Sequence, residues 1–253
     1  MESAGDNLKR KKKQYYSQKR QRRFEITAGL KGFLCSCNFN ERDCVKESYN
    51  LLNKYADKLY PPKEKEEVDE EQGIEEELSA EVDKLKNERG NEERRFQYID
   101  TGAKNLLFIK TTLDEPIEVT KEIVDDIIAE GKQQTRFLIR LVPVETTCKA
   151  VVGEIREALK PLLKKNFDSG PKTFSIVYNH RFNNTLNKEE VIKLVADDVF
   201  AIRADHKVDL KGAETSIIIE IIKTFAYLSV VPNYLKNKKH NLHLICKPEE
   251  NKE

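Results

Sequence analysis

The sequence predicts a mixed α/β protein built from two modules, a small α+β unit followed by an α/β unit with a largely parallel sheet. Three observations point there. Short runs alternate apolar and polar residues with period two, as in GFLCSC and TRFLIRLV. Longer runs repeat apolar residues every three or four positions, as in ERDCVKESYNLLNKYADKL. After residue 112 the two kinds of run strictly interleave, and strands separated by helices pair in parallel through right-handed crossovers.

Taken in order, residues 1–28 form a basic tail, expected to be disordered. Between Lys9 and Arg23 lie nine basic residues and no acid, a block that repels itself until it meets an anion. Order starts near Leu30. GLKGFLCSC is a strand with Phe33, Cys35 and Cys37 on one face. The next run is a helix on the spacing of Cys44, Ser48, Leu51, Leu52 and Tyr55, stopped by Pro61-Pro62. An acidic insert spans residues 61–93, and its 74–89 portion reads as a helix. RRFQYID and KNLLFIKTT form a hairpin turning at Asp100-Thr101-Gly102. The first module therefore covers residues 29–112.

The second module covers residues 113–235. Pro116 opens a helix carrying Val119, Ile123, Val124, Ile127 and Ile128, and Gly131 closes it. Thr135–Val144 is a strand with Phe137, Ile139 and Leu141 on one face and Arg136, Leu138, Arg140 and Val142 on the other. Thr146–Lys149 begins a helix that Pro161 kinks. KTFSIVYNHRF is a strand, and Asn187 with Glu190 starts the next helix as a capping box. TSIIIEIIKTFAYLSVV closes the module as a long bent strand or a hairpin. The polar residues 236–253 are expected to fray.

Charge bounds the function. The totals nearly cancel, 45 Lys and Arg against 44 Asp and Glu, but they are segregated. Glu64–Glu93 holds 14 acidic and 4 basic residues, so the rest is a basic body suited to an anionic partner. The acidic strip is either a solvated linker or a docking strip for a basic partner. Five cysteines with no secretory apolar segment suggest reduced thiols in an intracellular protein, and the most apolar run is broken by Glu220 and Lys223, so no membrane span is expected. Cys35, Cys37 and Cys44 lack the ligand spacing of a zinc site and read as buried thiols; no metal is expected. Cys148 beside Lys149 could have a lowered pKa, yet no acid or histidine partners it. Nucleotide-loop, serine-hydrolase and deaminase fingerprints are missing from the sequence, so no catalytic residues are assigned.

What remains is cationic. Arg136 and Arg140 share a strand face, Thr146, Thr147 and Lys149 sit where a helix start offers free N–H groups to a phosphate, and Arg181, Asn183, Asn184 and Lys188 cluster at the next strand-to-helix junction. In a parallel sheet both junctions fall on one edge, which makes these groups neighbours. Arg140 could instead pair with Glu145 or Glu220 and merely hold the sheet. The tail adds Lys9, Arg10, Lys11, Lys12, Lys13, Lys19, Arg20, Arg22 and Arg23 as a mobile cationic arm for the same anionic partner. Its two basic clusters also resemble a nuclear import signal, and Tyr15 and Tyr16 between them could stack on bases.

At these residues the chain resembles the THUMP family of RNA-binding domains, and more narrowly its tRNA-acetylation adaptor branch. The likeness rests on GFLCSCNFNERDCVKESYNLLNKYADKLY, RRFQYIDTGAKNLLFI, TRFLIRLVPVETTCKA, FSIVYNHRFNNTLNKEEVI, KVDL and IIIEIIKTFAYLSVVPNY, in the family's order, across residues 8–235. The resemblance implies a ferredoxin-like module followed by a THUMP fold, the pair gripping tRNA with the THUMP part toward the acceptor end. It implies an adaptor without cofactor or catalytic domain, here expected to be a monomer, that presents serine and leucine tRNAs to a separate RNA cytidine acetyltransferase. That enzyme, which uses acetyl-CoA and ATP, makes N4-acetylcytidine in the D-arm. The expected location is the nucleus, in nucleolus or nucleoplasm, with the cytoplasm second. The long C-terminal tail of some adaptors is not expected here. THUMP enzymes append a catalytic domain, which is not expected here. The rival readings are a THUMP enzyme modifying RNA by itself, for instance through Cys148, and a general RNA-binding or ribosome-assembly factor.

Overall fold

The computed structural model describes residues 25–61 and 94–247; the basic run Lys9–Arg23 and the acidic strip with its expected helix lie outside them. Strand β1 (Gly32–Cys37) leads into helix α1 (Glu41–Leu59), whose start is capped by the Asn40 side chain accepting from Asp43 N–H. Strands β2 (Phe96–Ala103) and β3 (Leu106–Thr111) form a hairpin. Its turn lies at Lys104-Asn105, with Asn105 left-handed at φ 61°. Asp100–Gly102, expected to be the turn, is instead an irregularity in the ladder, with Gly102 at φ 69°.

Helix α2 (Pro116–Glu130) has proline in its first turn and left-handed Gly131 at its end, as expected. Strand β4 (Leu138–Val144) then pairs with β1, far back in sequence. The resulting sheet is antiparallel in the order β2-β3-β1-β4, the βαββαβ topology of the ferredoxin-like fold. The boundary expected at residues 112/113 is thereby corrected: α2 and β4 complete the first module, which ends at Val144, because β4 hydrogen-bonds to β1.

The second sheet opens with β5 (Thr146–Lys149), a strand where a helix start was expected; helix α3 (Val152–Phe167) begins later and continues through Pro161. Strand β6 (Thr173–Arg181), helix α4 (Lys188–Ile202), the two-residue β7 (Lys207–Val208), and the hairpin β8 (Thr215–Ile222) and β9 (Phe225–Pro232) follow. The order is β5-β9-β8-β6-β7. Its β7-β6-β8 half is parallel and its β8-β9-β5 half antiparallel, so the sheet is mixed.

Period-two alternation assigns each sheet two faces. In the first, Phe33, Cys35, Leu107 and Ile109 pack under α1 and α2, while Leu34, Leu106, Phe108 and Val142 face away. In the second, Phe174, Ile217, Ile219 and Leu228 pack under α3 and α4, while Ile218, Ile222, Tyr227 and Val231 face away. The two outward faces bury each other, giving four layers: helices, sheet, sheet, helices. The ends of the described chain are also tied down. Ile26 and Leu30 pack on the sheet–sheet core, and Thr27 C=O accepts from the Thr147 hydroxyl at 2.7 Å. Residues 238–247, expected to fray, instead contribute Leu242, Ile245 and Cys246 to the core under α1 and α2, with Leu242 N–H donating to Ile139 C=O at 2.8 Å.

Candidate nucleic-acid interface

A cleft of about 450 Å³ opens between the two sheets, and its lining includes Ser36, Arg140, Asn179, Arg181, Lys188 and Glu220. Local pairing explains who is there. A bulge where Ser36 faces Arg140 and Cys37 faces Leu138 breaks the strict alternation of β4. Leu138 and Leu141 thus share the core under the helices, while Arg140 is left on the sheet–sheet side beside Ser36. From the other wall, β6 runs in parallel with β8 so that Asn179 faces Glu220 and Arg181 faces Ile222. Lys188 is the first residue of α4.

Arg140 and Arg181 are exposed and form no salt bridge among the described residues. Neither Glu145 nor Glu220 forms a salt bridge with Arg140. Glu145 accepts from Val230 N–H at 2.8 Å. Glu220 accepts from the Asn179 amide at 2.6 Å and lies in the field of both arginines. Burial pushes the Glu220 carboxyl above the usual carboxylate range, and the Asn179 hydrogen bond and the two guanidiniums only partly offset this. Around it stand Arg140, Arg181, Asn179, His180 and Tyr234, whose phenol is pushed up by burial and by Glu220 itself. Protonating Glu220 removes the one carboxylate that lines the cleft among the described residues. RNA affinity should therefore rise as pH falls from neutrality through the raised carboxyl range of Glu220, above the ordinary 4.5, by several-fold on the scale of about 1 kcal/mol for one screened charge pair. Glu220→Gln should bind at pH 8 as the native chain does at low pH and lose most of that dependence; fluorescence anisotropy across the pH series measures both.

The structure separates the other expected residues. Arg136 does not share a face with Arg140. The Glu47 carboxylate accepts from the N–H groups of Arg136, Phe137 and Leu138 at 2.6, 2.8 and 2.7 Å, and the Arg136 guanidinium lies 5.3 Å from the centre of the Phe137 ring. Thr147 is buried, its hydroxyl accepting from Leu30 N–H and donating to Thr27 C=O, so it is a fastener and not a phosphate contact. Asn183 likewise ties its loop, with its amide on Lys223 C=O and its oxygen accepting from Thr185 and Leu186. Asn184 stays exposed. Lys149, also exposed, lies in one row with Phe225, Ile222 and Arg181. It shares their end of the sheet but stands three strands, or roughly 14 Å, from Arg181.

Ser36, Asn179, His180 and Tyr234 were not anticipated, and Glu220 only as a possible partner of Arg140. The one legible signal was Glu220, a single acid in the apolar run SIIIEII. Cys148 is no nucleophile in waiting: burial and Glu154 push its thiol up to about 12. Burial takes Cys35 to about 12 and raises Cys44 as well. Among the described residues no group of three His, Cys, Asp or Glu could hold a metal ion, and no helix is long and apolar enough to cross a membrane.

Comparison with known proteins adds what geometry alone does not. The THUMP domain family matches residues 149–231, the stretch from the end of β5 to the end of β9. The chain is 36% identical over 273 residues to the THUMP domain-containing protein 1 homolog of Drosophila melanogaster, covering 98% of this chain and 83% of that protein. The chain belongs to the THUMP domain-containing protein 1 family. The human THUMP domain-containing protein 1 is likewise 36% identical, over 96% of this chain and 73% of its own length. A solution structure of the THUMP domain of THUMP domain-containing protein 1 matches 30% of this chain and 84% of that domain, with 35% identity and a TM-score of 0.27. The THUMP match and the second sheet coincide, and the ferredoxin-like module precedes both.

Proposed function

We propose that this THUMP domain-containing protein 1 family member is a non-catalytic tRNA-binding adaptor. It holds tRNA, serine and leucine tRNAs among its substrates, for a separate RNA cytidine acetyltransferase that forms N4-acetylcytidine in the D-arm. Acetyl-CoA and ATP are bound by that enzyme, and the adaptor acts as a monomer in the nucleus. The observation that carries the binding half is the convergence of Arg140 and Arg181, from two different sheets, in one cleft with Lys188 and without a salt bridge among the described residues. Unpaired guanidiniums held 'open' on rigid strands suit bidentate contact with phosphate. The raised Cys148 thiol weighs against the enzymatic rival, since a thiolate is the reactive form.

Reconstitution tests the reading. Serine tRNA, acetyl-CoA and ATP are incubated with the chain, with the acetyltransferase, or with both, and nucleosides are quantified by mass spectrometry. N4-acetylcytidine should form efficiently only with both proteins. Product from the chain alone would establish the enzymatic rival. Equal affinity for tRNA and for an unrelated structured RNA would favour the general RNA-binding factor.

A further inference from the structure

Among the described phenylalanines, Phe39 and Phe182 are by far the most exposed, with Phe200 next at 38%. Phe39 is 83% and Phe182 72% accessible. Both adopt left-handed backbone, at φ 60° and φ 56°. A bulky side chain rarely takes that conformation, because its Cβ crowds the following carbonyl. Burial does not compensate it here, so these loops carry strain of the kind concentrated at ligand sites.

Their placements match. Phe39 lies in the β1–α1 loop, three residues beyond Ser36, and Phe182 lies in the β6–α4 loop, directly after Arg181. Ser36 and Arg181 line opposite walls of the cleft. Each phenylalanine therefore sits just past the strand end that forms one wall. Neither loop is slack. Asn38 N–H donates to Phe137 C=O at 3.0 Å and Asn40 caps α1, while Lys223 N–H donates to Arg181 C=O at 2.9 Å and Asn183 ties the turn from both ends of its side chain. The sequence neighbours of both rings, Asn38 and Asn40, Arg181 and Asn183, are polar. That favours a planar partner over a protein surface, which would want a contiguous apolar patch.

We infer that Phe39 and Phe182 are stacking platforms for unpaired RNA bases at the two lips of the cleft. The inference rests on the RNA-binding reading and adds a ligand class to it: single-stranded nucleotides whose bases lie on the rings while their phosphates meet Arg140, Arg181 and Lys188. Stacking is tolerant of base identity, so it supplies grip on an unpaired segment without reading its sequence.

The test uses two probes, an unstructured RNA octamer containing 2-aminopurine and a blunt-ended RNA duplex, with the full chain and its Phe39→Ala, Phe182→Ala, Phe→Leu and Phe→Tyr variants. Each alanine variant should weaken octamer binding about tenfold and remove the quenching of 2-aminopurine, leaving duplex affinity unchanged. Leucine should fail like alanine because it keeps volume but has no π face, and tyrosine should bind like the native chain. Melting temperatures should not fall, since both rings are exposed. Octamer affinity unaffected by every substitution, or retained by leucine, would overturn the stacking assignment while leaving the RNA-binding reading in place. Native chain that binds tRNA but not the octamer would overturn the stacking assignment alone, and native chain that binds neither tRNA nor either probe would overturn both.

Discussion

An Arg140→Glu/Arg181→Glu chain should lose tRNA binding by on the order of 100-fold or more, the largest functional effect expected from any surface pair. A hydrogen bond to a charged group contributes roughly 1.5–3 kcal/mol, and two of them multiply in the affinity. Reversal adds repulsion to this loss, because Glu220 already lies in the cleft. The salt dependence separates lost phosphate contacts from a damaged fold: the slope of log affinity against log salt should fall by about 2. Stability should fall by only about 1 kcal/mol, since both side chains are exposed and form no salt bridge among the described residues, and the new carboxylates act only through repulsion with Glu220. Lys121→Glu, on the outer helix α2 across the first sheet from the cleft, should leave affinity near native. Gel shifts and anisotropy titrations at three salt concentrations decide it. An unchanged slope would remove the cleft from the interface.

The pairing of those two arginines was legible in the sequence, but for a different reason from the one that holds. Sequence order placed TRFLIRLVPV next to the second module's strands, which suggested that Arg140 and Arg181 end strands of a single parallel sheet. Nothing local distinguishes a strand that pairs forward from one that pairs backward. Arg140 pairs with Ser36, about a hundred residues earlier, and meets Arg181 only because two sheets stack face to face. Thr146–Lys149 was misread for a related reason: a helix start and a four-residue edge strand share the same polar, β-branched composition. Helices α1, α2 and α4 were plain because their apolar periodicity and their caps agree. The docking of Leu242, Ile245 and Cys246 was hidden, since three apolar residues among lysines and asparagines show no periodicity before a core exists to receive them. Glu220 was visible as an odd acid, but its effect on the cleft needs the facing wall.

That facing wall depends on Phe108, and Phe108→Ala should be the most destabilising single change in the sheet–sheet layer. Phe108 is 0% exposed, sits between Leu34 and Ile99 in the strand register, and meets Tyr227 of the other sheet edge-on at 5.2 Å and 64°. Its fit also dictates Gly32, where an added Cβ would come within 2.9 Å of the Phe108 ring and 2.2 Å of Ile109 C=O. Truncating a fully buried phenylalanine costs about 3–5 kcal/mol, the lost transfer energy plus a cavity that stiff strands cannot collapse. Leu210→Ala, at a site 75% exposed, should stay within about 0.5 kcal/mol and serves as the control. Urea unfolding followed by circular dichroism measures both. The consequence reaches past stability because Arg140 and Arg181 are held apart by this layer and by nothing covalent near them. Where the variant remains folded, a loosened spacer lets the two guanidiniums drift from the spacing that one RNA strand can bridge, so affinity should fall even though no RNA-facing atom has changed. Full destabilisation with unaltered affinity of the folded fraction would mean that the two walls act independently, each with its own phosphate.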